Sequence, residues 1–486
     1  MLRAPVPAEP EAGREPGLVH RLLGRVRLAY VPVLAAYFAY GASTITAVAL
    51  VFMQKDILQL TPAEVAEVAF WVNLPWSMKM VVGAASDVQP LFGSRRVSYL
   101  LLGVVATALG YLALATVVQD KSSYLLAMLL VAAGFMVQDV IADALSVQVA
   151  DTEEEVAQVQ ALGRMAFLAG TIGVSYLGGL LASRIGPRGV MAVGLVLPVL
   201  VAVATPFIRV RARLDAPPAG GPLAGGNARL VIAGGLGYGL LGVVLNVLQV
   251  PGTQEIVLVV SGVLLVWLLA RVGVTRAVGV AAFVIFLFRA TPDAGQGYSY
   301  WAIDKLGFDA EFLGLLAQVG SVLSLIGLLV LRKRIVNAPV SATLFWVSIA
   351  AAILYLPNIG LFYGLAEWLG VSPRTLAFID TTISAPLAQL AMVPMLTLIA
   401  KVSPPGAEAT MFAMMASLMN LALSASQLFT RYLNDAFGVT QQDYSNLGRL
   451  MITVCALSLL PLLALPWLRR YERADALDPR PHGAEV

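Results

Sequence analysis

The sequence predicts an all-α integral membrane protein with about fourteen transmembrane helices. Its 486 residues are 59% hydrophobic and only 13% charged, whereas soluble domains carry about 25% charged residues. The mean hydropathy is +0.81. So few charges cannot cover the surface of a soluble domain of this length. The composition therefore excludes an ordinary soluble enzyme, a disordered chain and a nucleic-acid-binding protein.

Apolar segments of about 20 residues, the length that a helix needs to cross a bilayer, recur along the whole chain. Six precede a Pro/Gly-rich stretch, two follow it directly, and six more complete the set. We predict spans at 30–53, 65–88, 98–118, 123–148, 159–183, 188–208, 229–250, 255–272, 276–302, 310–331, 340–364, 374–400, 408–432 and 448–468.

The basic residues test this number of spans. If the N-terminus is cytoplasmic, 21 of the 32 Lys and Arg residues fall in cytoplasmic loops and tails, 8 fall outside, and 3 lie within spans. Basic residues favour cytoplasmic loops, and one helix more or fewer would spoil the asymmetry. We therefore expect both termini in the cytoplasm and the chain in the inner or plasma membrane.

The Pro/Gly-rich stretch reads RVRARLDAPPAGGPLAGGNA and suggests a division of the chain. Two six-helix bundles and a two-helix insertion explain the total, and paired halves with a site between them are a common transporter plan. The insertion carries no charge within the bilayer, so we expect it to act as a scaffold or dimer contact. The predicted units are a cytoplasmic tail at 1–28, an N-terminal bundle at 29–208, a cytoplasmic linker at 209–228, the insertion at 229–273, a C-terminal bundle at 274–470 and a cytoplasmic tail at 471–486.

Cysteine and histidine are too rare for several kinds of chemistry. Cys455 is the only cysteine and lies in an apolar segment, while His20 and His482 lie in the polar tails. We therefore expect no intrachain disulfide, no metal site, no cofactor and no enzymatic activity based on Ser/His or Cys/His pairs. Any proton transfer within the bilayer must use carboxylates.

The clearest interior charges of the first half are Lys79, Asp139, Asp143 and Arg164. An ionised side chain at the bilayer centre costs roughly 2.5–3.5 kcal/mol, so it normally faces a partner or an aqueous cavity. Asp139 and Asp143 are four residues apart and project from one helix face. Two hypotheses stay open: a structural ion network that joins three helices, or a proton relay in which one Asp changes protonation during each cycle.

The second half contains an arginine in the middle of a span, Arg289, with Asp293 four residues later across a Thr-Pro pair. Proline interrupts the backbone hydrogen bonds of a helix, which membrane helices tolerate where they line a cavity. The guanidinium of Arg289 either holds an anionic ligand with two parallel hydrogen bonds or pairs with Asp293. Asp380 lies in a polar helix that should face a cavity, and Trp301 lies in an aromatic run after Asp293.

The segment PWSMKMVVGAASDVQPLFGSRRVSYLLLG, from Pro75 to Gly103, resembles the signature of the folate-biopterin transporter family, which belongs to the major facilitator superfamily. The inserted QPL is typical of that family, which usually has twelve helices. The stretches QDVIADAL, FRATPDAG and PPGAEATMFAMMASLMN are also similar to it. The residues that fit the superfamily's loop motif, with a longer gap, are Gly83, Asp87, Gly93, Arg95 and Arg96.

This resemblance implies a major-facilitator fold and proton-coupled uptake of a folate- or pterin-like solute by alternating access. Its partners would be that small molecule, protons and the lipid bilayer. Two alternatives stay open: an exporter of amphipathic compounds on the same fold, and a non-transporting membrane assembly or lipid-handling protein. We assign substrate binding to Trp76, Lys79, Arg289, Asp293, Trp301 and Asp380, proton coupling to Asp139, Asp143 and Arg164, and a cytoplasmic gate to Asp87, Gly93, Arg95 and Arg96.

Overall fold

The computed structural model describes residues 27–208, 250–272, 275–336, 338–388, 390, 392–403 and 408–477, with scattered positions between 234 and 245. Regular structure in these ranges is helical, apart from an isolated bridge between Leu91 and Ser94. The expected linker at 209–228, most of the span at 229–250, residues 1–26 of the N-terminal tail and residues 478–486 of the C-terminal tail lie outside the described residues.

The N-terminal part begins with a long helix and ends with a helix pair that reverses at Gly186, whose φ is +71°, followed by Pro187. The spans predicted at 159–183 and 188–208 therefore lie on either side of this turn. A second interruption, at Met78, follows Pro75, because proline cannot donate to the helix ladder. The helices are α1 (Leu28–Ile57), α2 (Pro62–Ser77), α3 (Lys79–Val88), α4 (Val97–Thr116), α5 (Lys121–Gln148), α6 (Glu153–Gly194) and α7 (Val196–Ala204).

The C-terminal part contains an interrupted helix where the sequence predicts a single span at 276–302. The helix stops at Arg289 and resumes at Gln296. The helices are α8 (Thr253–Val272), α9 (Arg276–Arg289), α10 (Gln296–Leu306), α11 (Ala310–Val336), α12 (Val340–Phe362), α13 (Leu365–Leu369), α14 (Pro373–Ala388), α15 (Met392–Val402), α16 (Glu408–Phe437), α17 (Leu447–Leu457) and α18 (Leu465–Leu477).

Capping residues define where several helices start. Thr61 caps α2 because its hydroxyl accepts a hydrogen bond from the Glu64 backbone at 3.2 Å, while the Glu64 carboxylate accepts from the Thr61 backbone at 2.9 Å. Asp120 and Ser123 form the corresponding box at the start of α5. These caps satisfy backbone donors that an apolar helix end would leave unpaired.

The helices present apolar faces to the outside as well as to each other. On α4, Leu102, Val105 and Leu109 are each 52% exposed, whereas Leu100 and Val104 are buried. Nine helical stretches in the described part of the chain are long and apolar enough to cross a membrane. An outward apolar face of this kind suits lipid rather than water. The molecule is therefore a multi-pass membrane protein.

The two halves meet along two helix pairs. α2 packs along α16, and α6 packs along α11. Phe70, Trp71 and Leu74 of α2 belong to an apolar cluster that otherwise comes from the C-terminal part of the chain. In contrast, α3 packs on α5 within the N-terminal half. The interruption at Met78 thus lies between α2, which contacts the C-terminal half, and α3, which packs within the N-terminal half.

Candidate functional site

Lys79 stands at the start of α3, directly after the helix interruption. Its ammonium group pairs with the carboxylate of Asp139 on α5. The same ammonium lies 4.9 Å from the centroid of the Trp76 ring, a cation–π contact. The Asp139 side chain is 10% exposed and that of Lys79 is 32% exposed. Three of the residues chosen from the sequence are therefore neighbours in one cluster.

Two tyrosines of α1 complete this cluster, and we did not select them from the sequence. Tyr40 stacks on Trp76 with ring centroids 5.0 Å apart and an interplanar angle of 25°. The Tyr37 hydroxyl donates a hydrogen bond to Asp143. Residues three apart share a helix face, so the spacing of these tyrosines was a usable signal. Aromatic residues in an apolar helix, however, look like ordinary core.

Arg164 of α6 is exposed, although it lies within a helical stretch long enough to cross a membrane. Its guanidinium carbon lies 5.1 Å from the centroid of the Phe167 ring. Among the described residues, Arg164 forms no ion pair. The predicted four-charge network is thus half formed: Lys79 pairs with Asp139, while Arg164 and Asp143 are not paired with each other.

In the second half, side chains of α16 hold the interruption between α9 and α10. Ser426 donates to the Thr291 carbonyl at 2.7 Å, and the Thr430 hydroxyl accepts from the Asp293 backbone at 3.0 Å. These bonds replace helix hydrogen bonds that Pro292 removes. The sequence indicated the interruption but not the helix that stabilises it.

Arg289 and Asp293 do not form the ion pair that was one of the two sequence hypotheses. The Asp293 carboxylate instead accepts from the Gly295 backbone at 2.6 Å. The Nε atom of Arg289 is buried and has no hydrogen-bond partner among the described residues. The described part of the chain also offers Arg289 no carboxylate within salt-bridge distance. The second half therefore places Arg289 beside an interrupted helix, with no counter-ion among the residues that the structure describes.

Asp380 accepts a hydrogen bond from Asn358 at 2.9 Å, and Tyr298 is close enough to Asp380 for electrostatic interaction. Trp301 is 6% exposed and packs between Tyr298 and Phe362, at 5.7 Å and 5.2 Å between ring centroids. Trp301 is thus part of an apolar core cluster. Tyr298 is the more exposed ring beside Asp380.

The residues of the proposed gate meet in the turn between α3 and α4. Arg96 donates to Asp87 at 2.6 Å and also bonds Ser86 and Gln148 at 2.6 Å and 3.1 Å. Gly93, with φ of +81°, sits at the turn itself. Arg96 is 8% exposed, and all three of these partners belong to the N-terminal half. Its charge is therefore neutralised within that half rather than between the halves.

The halves also make polar contacts at one end of the molecule, which we call the sealed end. It is defined by the ion pair of Lys55 with Asp304 at 2.6 Å and the hydrogen bond from Tyr176 to Glu311 at 2.7 Å. On the same helix as Tyr176, Gly179 approaches α11 so closely that an added Cβ would lie 2.3 Å from a backbone oxygen. Farther along α2, Asn420 donates to the Trp76 carbonyl at 3.0 Å.

Solved structures show the same fold. The nucleoside transporter NupG aligns with a TM-score of 0.62 at 12% identity, over 92% of this chain and 100% of that one. A POT family transporter in complex with a thioalcohol-conjugated peptide aligns with a TM-score of 0.66 at 13% identity, over 92% and 96% of the two chains. Both are transporters with the major-facilitator type of architecture, so the chain shares that class of fold.

Sequence comparison narrows this class. The model of the BT1 family matches residues 41–480, and the chain belongs to this family of folate-biopterin transporters. A folate-biopterin transporter of Synechocystis sp. is 29% identical over 433 residues, 88% of this chain and 79% of the relative. Folate transporter 1 of Plasmodium falciparum is 23% identical over 90% of this chain and 79% of its own. The resemblance seen in the sequence is confirmed, and the protein is a transporter rather than an enzyme.

Proposed function

We propose that this chain is a proton-coupled transporter that takes up a folate- or pterin-like solute by alternating access. The names of its relatives support the substrate class. The unpaired guanidinium of Arg289 is the observation that carries the proposal. A cation in a membrane helix costs roughly 2.5–3.5 kcal/mol, and the described residues provide no carboxylate to offset this. A carboxylate of the substrate would do so.

The cluster around Trp76 suits the flat part of such a substrate. Tyr40 and Trp76 provide aromatic surface, and Asp139 and Lys79 provide an acceptor and donors for the ring edge. A folate would then place its pteridine against the N-terminal half and its anionic tail against Arg289 in the C-terminal half. Asp293 and Asp380 are retained as further proposed contacts around the C-terminal part of the site, and we propose that Trp301 acts there only through the Tyr298 ring that packs on it.

Proton coupling would use Asp143 and Asp139. Asp143 is exposed and bonded to Tyr37 rather than to a cation, so it can exchange a proton without breaking an ion pair. Arg164 is close enough to Tyr37, the hydrogen-bond partner of Asp143, for electrostatic interaction. In this proposal the positive charge of Arg164 would favour the ionised form of Asp143. Asp139 would be released for protonation only when Lys79 turns to the substrate.

The fourteen-span topology of two bundles and an insertion, with both termini cytoplasmic in the inner or plasma membrane, belongs to the same proposal. With that orientation the sealed end faces outward, and the exposed Asp143 and Arg164 are reached from the cytoplasm. The structure would then represent the inward-facing state. The turn with Asp87, Gly93, Arg95 and Arg96 would close the cytoplasmic end in the opposite state.

The test compares folate, which has an anionic glutamate tail, with biopterin, which lacks one. Binding is measured on purified Arg289→Gln by thermal shift, and uptake is measured in proteoliposomes. We expect the variant to lose at least tenfold affinity for folate and little for biopterin, because a charge-assisted hydrogen bond is worth about 1.5–3 kcal/mol. Arg374→Gln is the control, because Arg374, in the first turn of α14, forms an exposed ion pair with Asp309. Equal losses for both ligands would reject the anion site.

A further inference from the structure

One buried glutamine of α8 bonds to both halves at the sealed end. The side-chain oxygen of Gln254 accepts from Arg431 of α16 at 2.7 Å, and its amide nitrogen donates to the Glu67 carbonyl of α2 at 3.3 Å. Arg431 has only donors, which fixes the oxygen of the amide toward it and leaves the nitrogen for Glu67. Gln254 is 4% exposed.

The apolar side chains of α8 pack chiefly with the C-terminal half, although the same cluster includes Phe70, Trp71 and Leu74 of α2. Val257, Leu265 and Leu269 are buried in the apolar cluster of the C-terminal part, and α8 packs along α16. Its opposite face is apolar and exposed at Val259 and Val263, as expected for contact with lipid. When the halves separate at this end, α8 therefore stays with α16, and its contact with Glu67 has to break.

We propose that Gln254 makes α8 a latch for the sealed state, a positioning role in transport for a helix that the sequence suggested was a scaffold. The direct contact between Arg431 and Glu67 is long, at 4.0 Å, and Glu67 is already held by Lys121 at 2.9 Å. At the level of Glu67 the amide of Gln254 thus supplies a short connection between α16 and α2, whereas the bond from Asn420 to Trp76 lies farther along α2. This inference rests on the proposed alternating access but not on the identity of the substrate.

The experiment measures the distance across the sealed end without substrate. Spin labels at Val117→Cys and Trp368→Cys, both exposed, report this distance by double electron–electron resonance in nanodiscs, in a Cys455→Ser background. Gln254→Met removes both bonds with little change in volume. Only the bond to Glu67 is lost when the halves separate, because Arg431 stays with α8. We therefore expect the ratio of separated to sealed molecules to rise roughly threefold to tenfold, the effect of losing one net hydrogen bond.

Two further variants separate a latch from simple destabilisation. Gln254→Glu keeps an acceptor for Arg431 and the packing of α8, but loses the donor to Glu67, so it should shift the ratio at least as much as Gln254→Met. Gln138→Met removes a buried glutamine bonded to Thr107 within one half, and should lower thermal stability without changing the ratio. A folded Gln254→Glu protein with the parental distance distribution would overturn the proposal, whatever its uptake of folate.

Discussion

The close approach of α6 and α11 offers a direct way to perturb the sealed end. A Cβ added at Gly179 would lie 2.3 Å from the Ala310 carbonyl oxygen and 2.7 Å from the Gly314 Cα. Both obstacles are backbone atoms, so no side-chain rotation can relieve the contact. Gly179→Ala should therefore oppose sealing, whereas the separated state has room for the methyl group.

The expected magnitude follows from the cost of overpacking. Forcing one extra carbon into a packed contact costs about 1–3 kcal/mol, which corresponds to about a 5–150-fold change in the ratio of the two states. Among the described atoms, none lies within 4 Å of a Cβ added at Gly173, which precedes Gly179 on α6. Gly173→Ala is therefore the matched control for helix propensity.

Alkylation of a buried position measures this shift. Ser175 is 5% exposed and its hydroxyl lies 3.3 Å from that of Ser321 on the opposite half. In a Cys455→Ser background, Ser175→Cys should react slowly with a membrane-impermeant maleimide, and Gly179→Ala should accelerate the reaction about 5–150-fold. If a folded Gly179→Ala protein reacts at the Gly173→Ala rate, the glycine contact is not what permits sealing.

Two other predictions concern coupling and the interrupted helix. Asp143→Asn should still equilibrate substrate but no longer accumulate it when a proton gradient is imposed across proteoliposomes. Asp139→Asn should impair binding as well, because it leaves the half-buried Lys79 without its ion-pair partner. Normal proton-driven accumulation in both variants would remove these residues as proton carriers. Thr430→Val should cost about 1–3 kcal/mol of unfolding free energy or a comparable loss of substrate affinity, because it leaves the Asp293 backbone donor unpaired; parental stability and affinity in thermal-shift titrations would contradict the role given to α16.

Much of the helix pattern could be predicted because the bilayer imposes it. A span needs apolar residues on every exposed face, so its length is visible in the sequence. Proline marked the interruption near Asp293, and an intramembrane lysine indicated a partner, which is Asp139. The same requirement hides the rest: lipid-facing and core-facing residues are both apolar, so the pattern does not show which face of α1 carries Tyr37 and Tyr40.

Polar partners between helices were the least predictable feature. Gln254 and Ser426 are single uncharged residues in apolar helices, and their importance depends on which carbonyl or guanidinium the fold brings to them. For the same reason, the sequence led us to assign substrate binding to Trp301 rather than to Tyr298. Both rings lie in one aromatic run, and only packing against Phe362 shows that Trp301 faces a core cluster.

The chemistry of the sealed end explains how a closed seam can open in each cycle. A closely packed apolar contact between the halves would be costly to separate. The contact at the sealed end instead combines charged pairs with buried polar atoms that lack partners. Within the described residues, the Tyr300 hydroxyl and the Gln54 and Gln296 side-chain oxygens are buried and unbonded. Each unsatisfied group costs about 1–3 kcal/mol and regains water on separation. These costs offset the ion pair of Lys55 with Asp304, so we infer that the two states are close in free energy and that binding of a substrate and a proton can decide between them.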